Sequence, residues 1–268
     1  MDDTRLNLDR WANMVDKDDK LSMSHDRSAL LSKLTKRSGL SPSDEQALLA
    51  GASTPRHTAR GDRLIQEGCE TTSLIILCDG MARAARTLAD GSQQIVAIFV
   101  AGDTLNAGEL MFPRSRMSIS ALTPTVCLPI PLARLDRLVA NRPAIARALW
   151  LETAAQAAIQ QEWMVWLGRR NAQARLAHFL CEVCYRLQIG AEDPGEAFDL
   201  PLTQHELADI LGLSTVHVNR VLQFLRSQKL IELSRNRLTI QDKSGLREIA
   251  EFDAQYLRGL RPPDAGAC

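Results

Sequence analysis

From Leu202 onward, hydrophobic residues recur at helical spacing and break once, at Gly212. Leu207, Ala208, Ile210 and Leu211 lie before the break, and Val218, Val221, Leu222 and Leu225 after it. The pattern predicts two short helices joined by a tight turn, since glycine takes positive φ without steric cost. Thr203 is placed to cap the first helix, with Glu206 three residues on to close a capping box. Leu202 and Leu207 fall at the two positions of a hydrophobic staple. Ser214 is a second N-cap. Ala208 is small where the helices would cross, and Val218 and Val221 face into the angle between them. Thr215, Val216, His217, Asn219 and Arg220 are left pointing outward near the start of the second helix. A helix-turn-helix presents side chains to a major groove in this way. Two strands with a tight turn are predicted next: Leu230 to Leu233, then Ser234-Arg235-Asn236, then Arg237 to Ile240.

Upstream, the pattern changes twice. Residues 29–49 carry leucines spaced for two short helices, the second opened by Ser41 as N-cap and Pro42 at the first helical position. From 55 to 130, short β-type runs alternate with glycine turns at Gly61, Gly68, Gly80, Gly91 and Gly102. Asp79-Gly80 and Asp90-Gly91 flank Met81–Leu88 as hairpin turns. Ser73–Cys78, Ile95–Val100, Ser118–Thr123 and Val126–Ile130 supply further strands, and the set predicts an antiparallel barrel or roll. Pro143 then opens a long helix to about Leu167. Ala144, Ala148, Ala155 and Ala158 form one stripe on it; Ile145, Leu149, Ile159, Trp163 and Trp166 form another. Two stripes suggest two packing partners, the chain's own roll and a second copy. A helix over 172–187 follows, then a loop over 190–196, and a last helix is expected near Leu246 to Leu257. The fold class is therefore α+β. Its parts are a polar extension at 1–28, an antiparallel β-roll with flanking helices at 29–142 and a dimerisation helix at 143–168. A winged helix-turn-helix at 169–258 and a tail at 259–268 complete the chain.

Composition narrows the function classes. The 268 residues suffice for two domains with cores. Thirty-two basic residues balance 32 acidic ones, so any affinity for DNA must come from a local basic face. Such a face exists: residues 211–240 hold Arg220, Arg226, Lys229, Arg235 and Arg237 against Glu232 alone. Only 4% of the residues are aromatic, which counts against a stacking platform for single strands. No apolar run reaches the roughly 20 residues of a membrane span, and no apolar signal core opens the chain. A cytoplasmic protein without a membrane partner is expected. The six cysteines lack a disulfide rhythm. His178-x-x-Cys181-x-x-Cys184 would rotate off one helical face, so the three cannot easily meet one metal ion; they read as core. Cys69, in a turn, is the most exposed thiol by position. No phosphate loop, His-Glu-x-x-His pair or nucleophile elbow occurs, so no enzyme is expected.

The order of roll, long helix and winged helix-turn-helix resembles the Crp/Fnr family of bacterial transcription regulators, over about residues 38–258. Leu200-Pro201-Leu202-Thr203-Gln204 through Leu225-Arg226 carries most of the resemblance, and Gly168-Arg169-Arg170 with Arg175-Leu176-Ala177-His178 agrees with it. The resemblance implies a homodimer that binds a palindromic promoter site in double-stranded DNA and contacts RNA polymerase. It implies phosphate contacts from Thr203, Gln204, Ser214 and His217, with Arg169 and Arg170 as further candidates, and base-edge contacts from Thr215, Val216, Asn219 and Arg220. Arginine is the usual bidentate donor to guanine. Valine stands at 216 where many relatives carry glutamate; it can touch a thymine methyl but cannot accept from cytosine, so a different half-site is expected.

In nucleotide-binding relatives, a Gly-Glu pair and an Arg-Ser or Arg-Thr pair hold the ribose and cyclic phosphate. Gly108-Glu109 and Arg114-Ser115 resemble them, so Glu109, Arg114 and Ser115 are the candidate effector residues. The loop between the pairs is short, and aligning Ser118–Ala121 with the strand that follows moves the arginine out of register. Arg114 or Arg116 is then the inward one, since one residue of slip reverses the face. A roll that has lost cyclic nucleotide as its effector is favoured over one that retains it, leaving no cofactor assigned. No cysteine precedes Cys69, so the N-terminal iron–sulfur ligands of the oxygen-sensing relatives are absent. The competing function is a ligand-responsive module whose helical corner binds protein. Steep salt dependence of DNA binding separates the two.

Overall fold

The computed structural model describes residues 38–188 and 197–257. The extension at 1–28, the first helix expected after it, the loop at 190–196 and the tail at 259–268 lie outside the described residues. The architecture is α+β. Helix α1 (Pro42–Gly51) starts on a complete capping box between Ser41 and Asp44. Seven strands follow: β1 (Arg56–Thr58), β2 (Arg63–Ile65), β3 (Ser73–Asp79), β4 (Met81–Thr87), β5 (Gln93–Val100), β6 (Ser118–Ala121) and β7 (Thr125–Pro131). They form two antiparallel sheets, in the orders β1-β7-β3 and β2-β6-β4-β5. Leu74, Ile76, Leu77, Ala82, Ala84 and Ile119 are buried. Leu74 and Ile76 of β3 face one core cluster while Leu77 faces another, so β3 is buried on both faces, and Ala82 and Ala84 of β4 share one inward face.

Asp90-Gly91 is a true hairpin turn, with the Ser92 amide donating to Asp90 Oδ1 and β4 pairing with β5. Asp79-Gly80 is not. Strand β3 pairs with β7, not with β4, and Gly80 carries the chain around the corner from one sheet to the other. Its φ is 84°, and a Cβ there would lie 2.3 Å from the Pro124 carbonyl oxygen, so the corner excludes side chains twice over.

Helix α2 (Leu132–Asn141), which the sequence pattern did not separate, follows β7 directly with Pro131 at its N-cap. Helix α3 (Pro143–Arg169) is the expected long helix, two residues longer than expected. Its inward side holds Ile145, Ala148, Ile159, Trp163 and Trp166, so members of both expected stripes turn into the chain's own core. The side left outside is different. Trp150, Ala154, Ala157, Gln161, Met164 and Gly168 are exposed, at alternating steps of four and three residues.

Helix α4 (Ala172–Gln188) is nearly wholly buried. The winged unit then runs β8 (Ala197–Asp199), α5 (Gln204–Leu211), α6 (Thr215–Ser227), β9 (Ile231–Ser234), β10 (Arg237–Ile240) and α7 (Lys243–Ala250). The wing has three strands, β8-β10-β9, with β8 added to the expected pair. The expected last helix is broken: α7 ends at Glu251, in the left-handed region at φ 47°, and a separate 3-10 turn spans Ala254–Leu257. One core joins the roll to the winged unit, with Ile95, Ile98 and Val100 in the same cluster as Trp163, Trp166, Phe179 and Leu211.

Candidate nucleic-acid interface

The corner of α5 and α6 is built as local rules require. Thr203 Oγ1 accepts from the Glu206 amide at 3.1 Å, and Glu206 Oε2 accepts from the Thr203 amide at 2.8 Å. Gly212 sits at φ 63°, ψ 41° and ends α5. Ser214 Oγ accepts from the His217 amide at 3.3 Å and starts α6. Leu202, Leu207, Ala208, Val218, Val221 and Leu222 are buried, which fixes the angle between the helices.

What remains outside is the set predicted for DNA. Thr203, Gln204, Ser214, Thr215, His217 and Arg220 are exposed. Val216 is 61% exposed, an uncovered aliphatic side chain on an otherwise polar face. Asn219 is half-buried, and its amide nitrogen donates to Gln204 Oε1 at 3.3 Å, tying a base-edge candidate to a phosphate candidate. Arg169 is exposed, whereas Arg170 turns inward. It donates to His178 Nδ1 and, at 3.0 Å, to the Ala250 carbonyl.

Polar groups missed by the sequence reading hold this corner to the roll. Gln94 Nε2 donates to the Asp209 carbonyl at 2.6 Å. Arg83 and Arg60 lie 3.7 and 3.9 Å from the Glu206 carboxylate. Arg186 of α4 reaches Asp103 of the roll at 2.7 Å and Glu182 at 3.1 Å, all three being buried. Glu182 also accepts from Trp163 Nε1 and from the Tyr256 hydroxyl, each at 3.0 Å. Burial raises the Glu182 carboxyl pKa, opposed by the Arg186 charge and by these donors. The one available signal was the i,i+4 spacing of Glu182 and Arg186, which on its own describes an ordinary surface pair.

The roll's candidate effector residues are only partly assembled. Ser115 Oγ donates to Glu109 Oε2 at 2.7 Å, and the Arg116 amide donates to Glu109 Oε1 at 3.2 Å. Arg114 is exposed and turned away, donating to the Gly68 carbonyl at 2.8 Å. Arg116, not Arg114, borders the cavity of about 230 Å³ between the roll and α3, together with Glu109, Thr153 and Gln156. Its guanidinium lies over the Phe112 ring, 4.2 Å from the centroid. A cyclic nucleotide needs a buried cation for its phosphate and a free carboxylate for its ribose. Glu109 is already engaged by Ser115 and Arg116, and no arginine among the described residues is buried against this cavity. The residues present do not fit a cyclic nucleotide.

Cys127, Cys181, Cys184 and His178 are buried, and Cys78 is half-buried. Among the described residues no group of three or more His, Cys, Asp or Glu side chains could hold a metal ion. Burial pushes the thiols of Cys78 and Cys181 up to about 12 and that of Cys127 to about 11, and Cys69 is exposed. Among the described residues, too, no helix is long and apolar enough to cross a membrane.

Known proteins place this architecture. The chain matches the model of the cyclic nucleotide-binding domain over residues 55–142 and that of the Crp-like helix-turn-helix domain over 174–249. A protein of Rhizobium leguminosarum bv. viciae, named "Probable transcriptional activator", is 30% identical over 183 residues, 66% of this chain and 75% of the relative. The chain belongs to the Crp/Fnr family. The nitrogen fixation regulation protein FixK of Azorhizobium caulinodans is 28% identical over 75% of this chain and 81% of its own. The structure of FixK2 from Bradyrhizobium japonicum superposes with a TM-score of 0.67 at 25% identity, covering 74% of this chain and 96% of that one. As a Crp/Fnr protein, the chain is a DNA-binding transcription regulator, and the exposed face of α6 is its candidate reading surface.

Proposed function

We propose that two copies of this chain bind a palindromic promoter site in the cytoplasm, each laying α6 into the major groove. Arg220 reads guanine O6 and N7. Val216, one turn before it on the same face, packs on a thymine methyl, and Thr215 and Asn219 meet neighbouring base edges. Thr203, Gln204, Ser214 and His217 bond phosphates, the two N-caps lying at helix ends that favour anions. In this division, residues 29–142 sense, 143–168 pair the subunits and 169–258 read DNA, and RNA polymerase is the partner at the promoter. The roll has an unidentified or lost effector, and the engagement of Glu109 by Ser115 and Arg116 supports loss of cyclic nucleotide over its retention.

The observation that carries this reading is the exposed Val216 beside Arg220. An aliphatic side chain left in water on a polar helical face has a use if a methyl group covers it. The exposed seam of α3 supports pairing, because its alternating four- and three-residue steps are those of a coiled-coil interface. Genome-wide footprinting of the purified protein, with and without cyclic nucleotides, tests the reading. It is expected to return a palindromic operator, protected equally in both cases, with binding that weakens linearly with log salt at a slope of about −0.9 per neutralised phosphate. An absence of protected sites, or affinity indifferent to salt, rejects it in favour of a corner that binds protein.

A further inference from the structure

The cavity between the roll and α3 lacks the fittings for a cyclic nucleotide, yet polar groups line it. Thr104, in the segment between β5 and β6, borders the cavity and is 1% exposed. Its Oγ1 has no hydrogen-bond partner among the described residues. A buried hydroxyl left unpaired costs the free energy of its desolvation, and such a group in a folded chain calls for an explanation. From the α3 side, Gln156 and Gln160 border the same cavity one helical turn apart. Neither carboxamide is hydrogen-bonded among the described residues.

The other polar groups on the wall are already engaged. Arg116 Nε lies 3.7 Å from Glu109 Oε1, and Ser115 holds the second oxygen of that carboxylate. A charged ligand would find no free counter-charge here, and burying a charge unpaired is costly. Asn106 accepts from the Ile75 amide and donates to the Ser73 carbonyl, each at 2.9 Å. The Thr153 hydroxyl donates to the Leu149 carbonyl at 3.0 Å. One hydroxyl and two carboxamides are left to meet a ligand, all uncharged and all able to donate and to accept. Phe99 and Leu105, both buried, supply apolar wall.

Size narrows the occupant further. About 230 Å³ falls below the roughly 300–1,000 Å³ of pockets that enclose drug-sized ligands. Chemistry narrows it most. A carboxamide pairs bidentately with an edge that offers a donor beside an acceptor, as glutamine does with adenine. A primary amide or a lactam offers such an edge without charge.

We propose that this cavity binds a small uncharged ligand with a primary amide or lactam edge. Gln156 pairs with that edge, the Thr104 hydroxyl donates to the second lone pair of its carbonyl oxygen, and the ligand's apolar part lies against Phe99 and Leu105. The inference rests on the division of the chain proposed above, in which the roll senses, and gives its effector a chemical class.

Benzamide and benzoate, alike in size and different in charge, are the probes, titrated against the full chain by ligand-observed NMR. Benzamide is expected to bind saturably and at least tenfold tighter than benzoate, with no competition from cyclic AMP. Thr104→Val and Gln156→Leu should each weaken benzamide about tenfold. Because Thr104→Val removes an unpaired buried hydroxyl, the ligand-free variant should unfold in urea at a midpoint no lower than that of the wild type. Benzamide should raise the wild-type midpoint and leave that of Thr104→Val nearly unchanged. A lowered midpoint for ligand-free Thr104→Val would show that the hydroxyl is already bonded, and overturns the inference. So do benzoate binding as tight as that of benzamide, displacement of benzamide by cyclic AMP, and the absence of saturable benzamide binding. Operator binding is measured on the same protein without probe, and its absence overturns the proposed function instead.

Discussion

Arg220 stands one helical turn beyond Val216 on α6, exposed, with Val221 and Leu222 beside it in sequence buried in the core. Truncating it should leave the fold alone and remove sequence discrimination of about 1–3 kcal/mol per half-site. Arg220→Ala is therefore expected to bind operator and scrambled duplexes with nearly equal affinity in fluorescence anisotropy, while its urea unfolding midpoint stays at the wild-type value. A variant that still prefers the operator by the wild-type ratio would show that another residue does the reading. At this scale the sequence was most legible where a rule is local. The Thr203–Glu206 capping box, the Ser214 cap and the left-handed Gly212 each depend on a few adjacent residues, and all three form as expected. Arg114 was less legible. In an extended segment the facing side depends on register with a partner strand, and the structure brings Ser115, not Arg114, to Glu109.

Among the elements, α3 shows what periodicity can and cannot decide. Its length was readable, but its two apolar stripes do not divide cleanly into an inner and an outer face, because Ala148 is buried beside Ile145 while Ala144 is exposed and Ala155 and Ala158 are half-buried. The outward seam starts at Trp150, 77% exposed, and reaches Met164, 72% exposed. It is mostly small or polar between these ends, so a hydrophobicity reading drawn to the bulkier stripe passes over it. Helix α2 and strand β8 escaped for a different reason: each is short and stands beside a stronger signal, β7 for one and the first helix of the corner for the other. If the seam joins two copies, a charge within it faces its own symmetry mate. Met164→Glu should convert a dimer into a monomer in sedimentation equilibrium, with the far-UV spectrum unchanged. It should also weaken operator binding much more than nonspecific binding, since two half-sites are then read independently. A wild-type mass for Met164→Glu would move the pairing surface elsewhere.

For the molecule as a whole, the question is what keeps the reading head at a fixed angle to the roll. The shared apolar core supplies adhesion without direction, whereas the buried polar cluster supplies direction. Arg186 bridges Asp103 of the roll and Glu182 of α4, and Glu182 gathers Trp163 of α3 and Tyr256 of the last turn. The chain of donors extends further. His178 Nε2 lies 3.1 Å from the Tyr256 hydroxyl, and His178 Nδ1 lies beside the Arg170 guanidinium and 3.2 Å from the Ala250 carbonyl oxygen. Burial keeps that imidazole neutral, with a pKa of about 4. Beyond the i,i+4 spacing of Glu182 and Arg186, no sequence pattern announces such a cluster, since Asp103, Trp163, Glu182 and Tyr256 come from separate segments of the chain. Its energetics make a distinct prediction. Arg186→Met leaves two buried carboxylates without their cation, at a cost of about 3–5 kcal/mol. With the cation gone, burial raises the Glu182 carboxyl pKa unopposed by its charge, so the folded state binds more protons than the unfolded state. The variant's stability should therefore fall as pH rises above the ordinary carboxylate range and recover on acidification, as urea unfolding at a series of pH values would record. Adding Asp103→Asn and Glu182→Gln removes the stranded charges and should restore much of the loss at neutral pH and flatten the profile. An Arg186→Met protein with wild-type stability and no such pH dependence would mean that the apolar core alone sets the angle between the two halves.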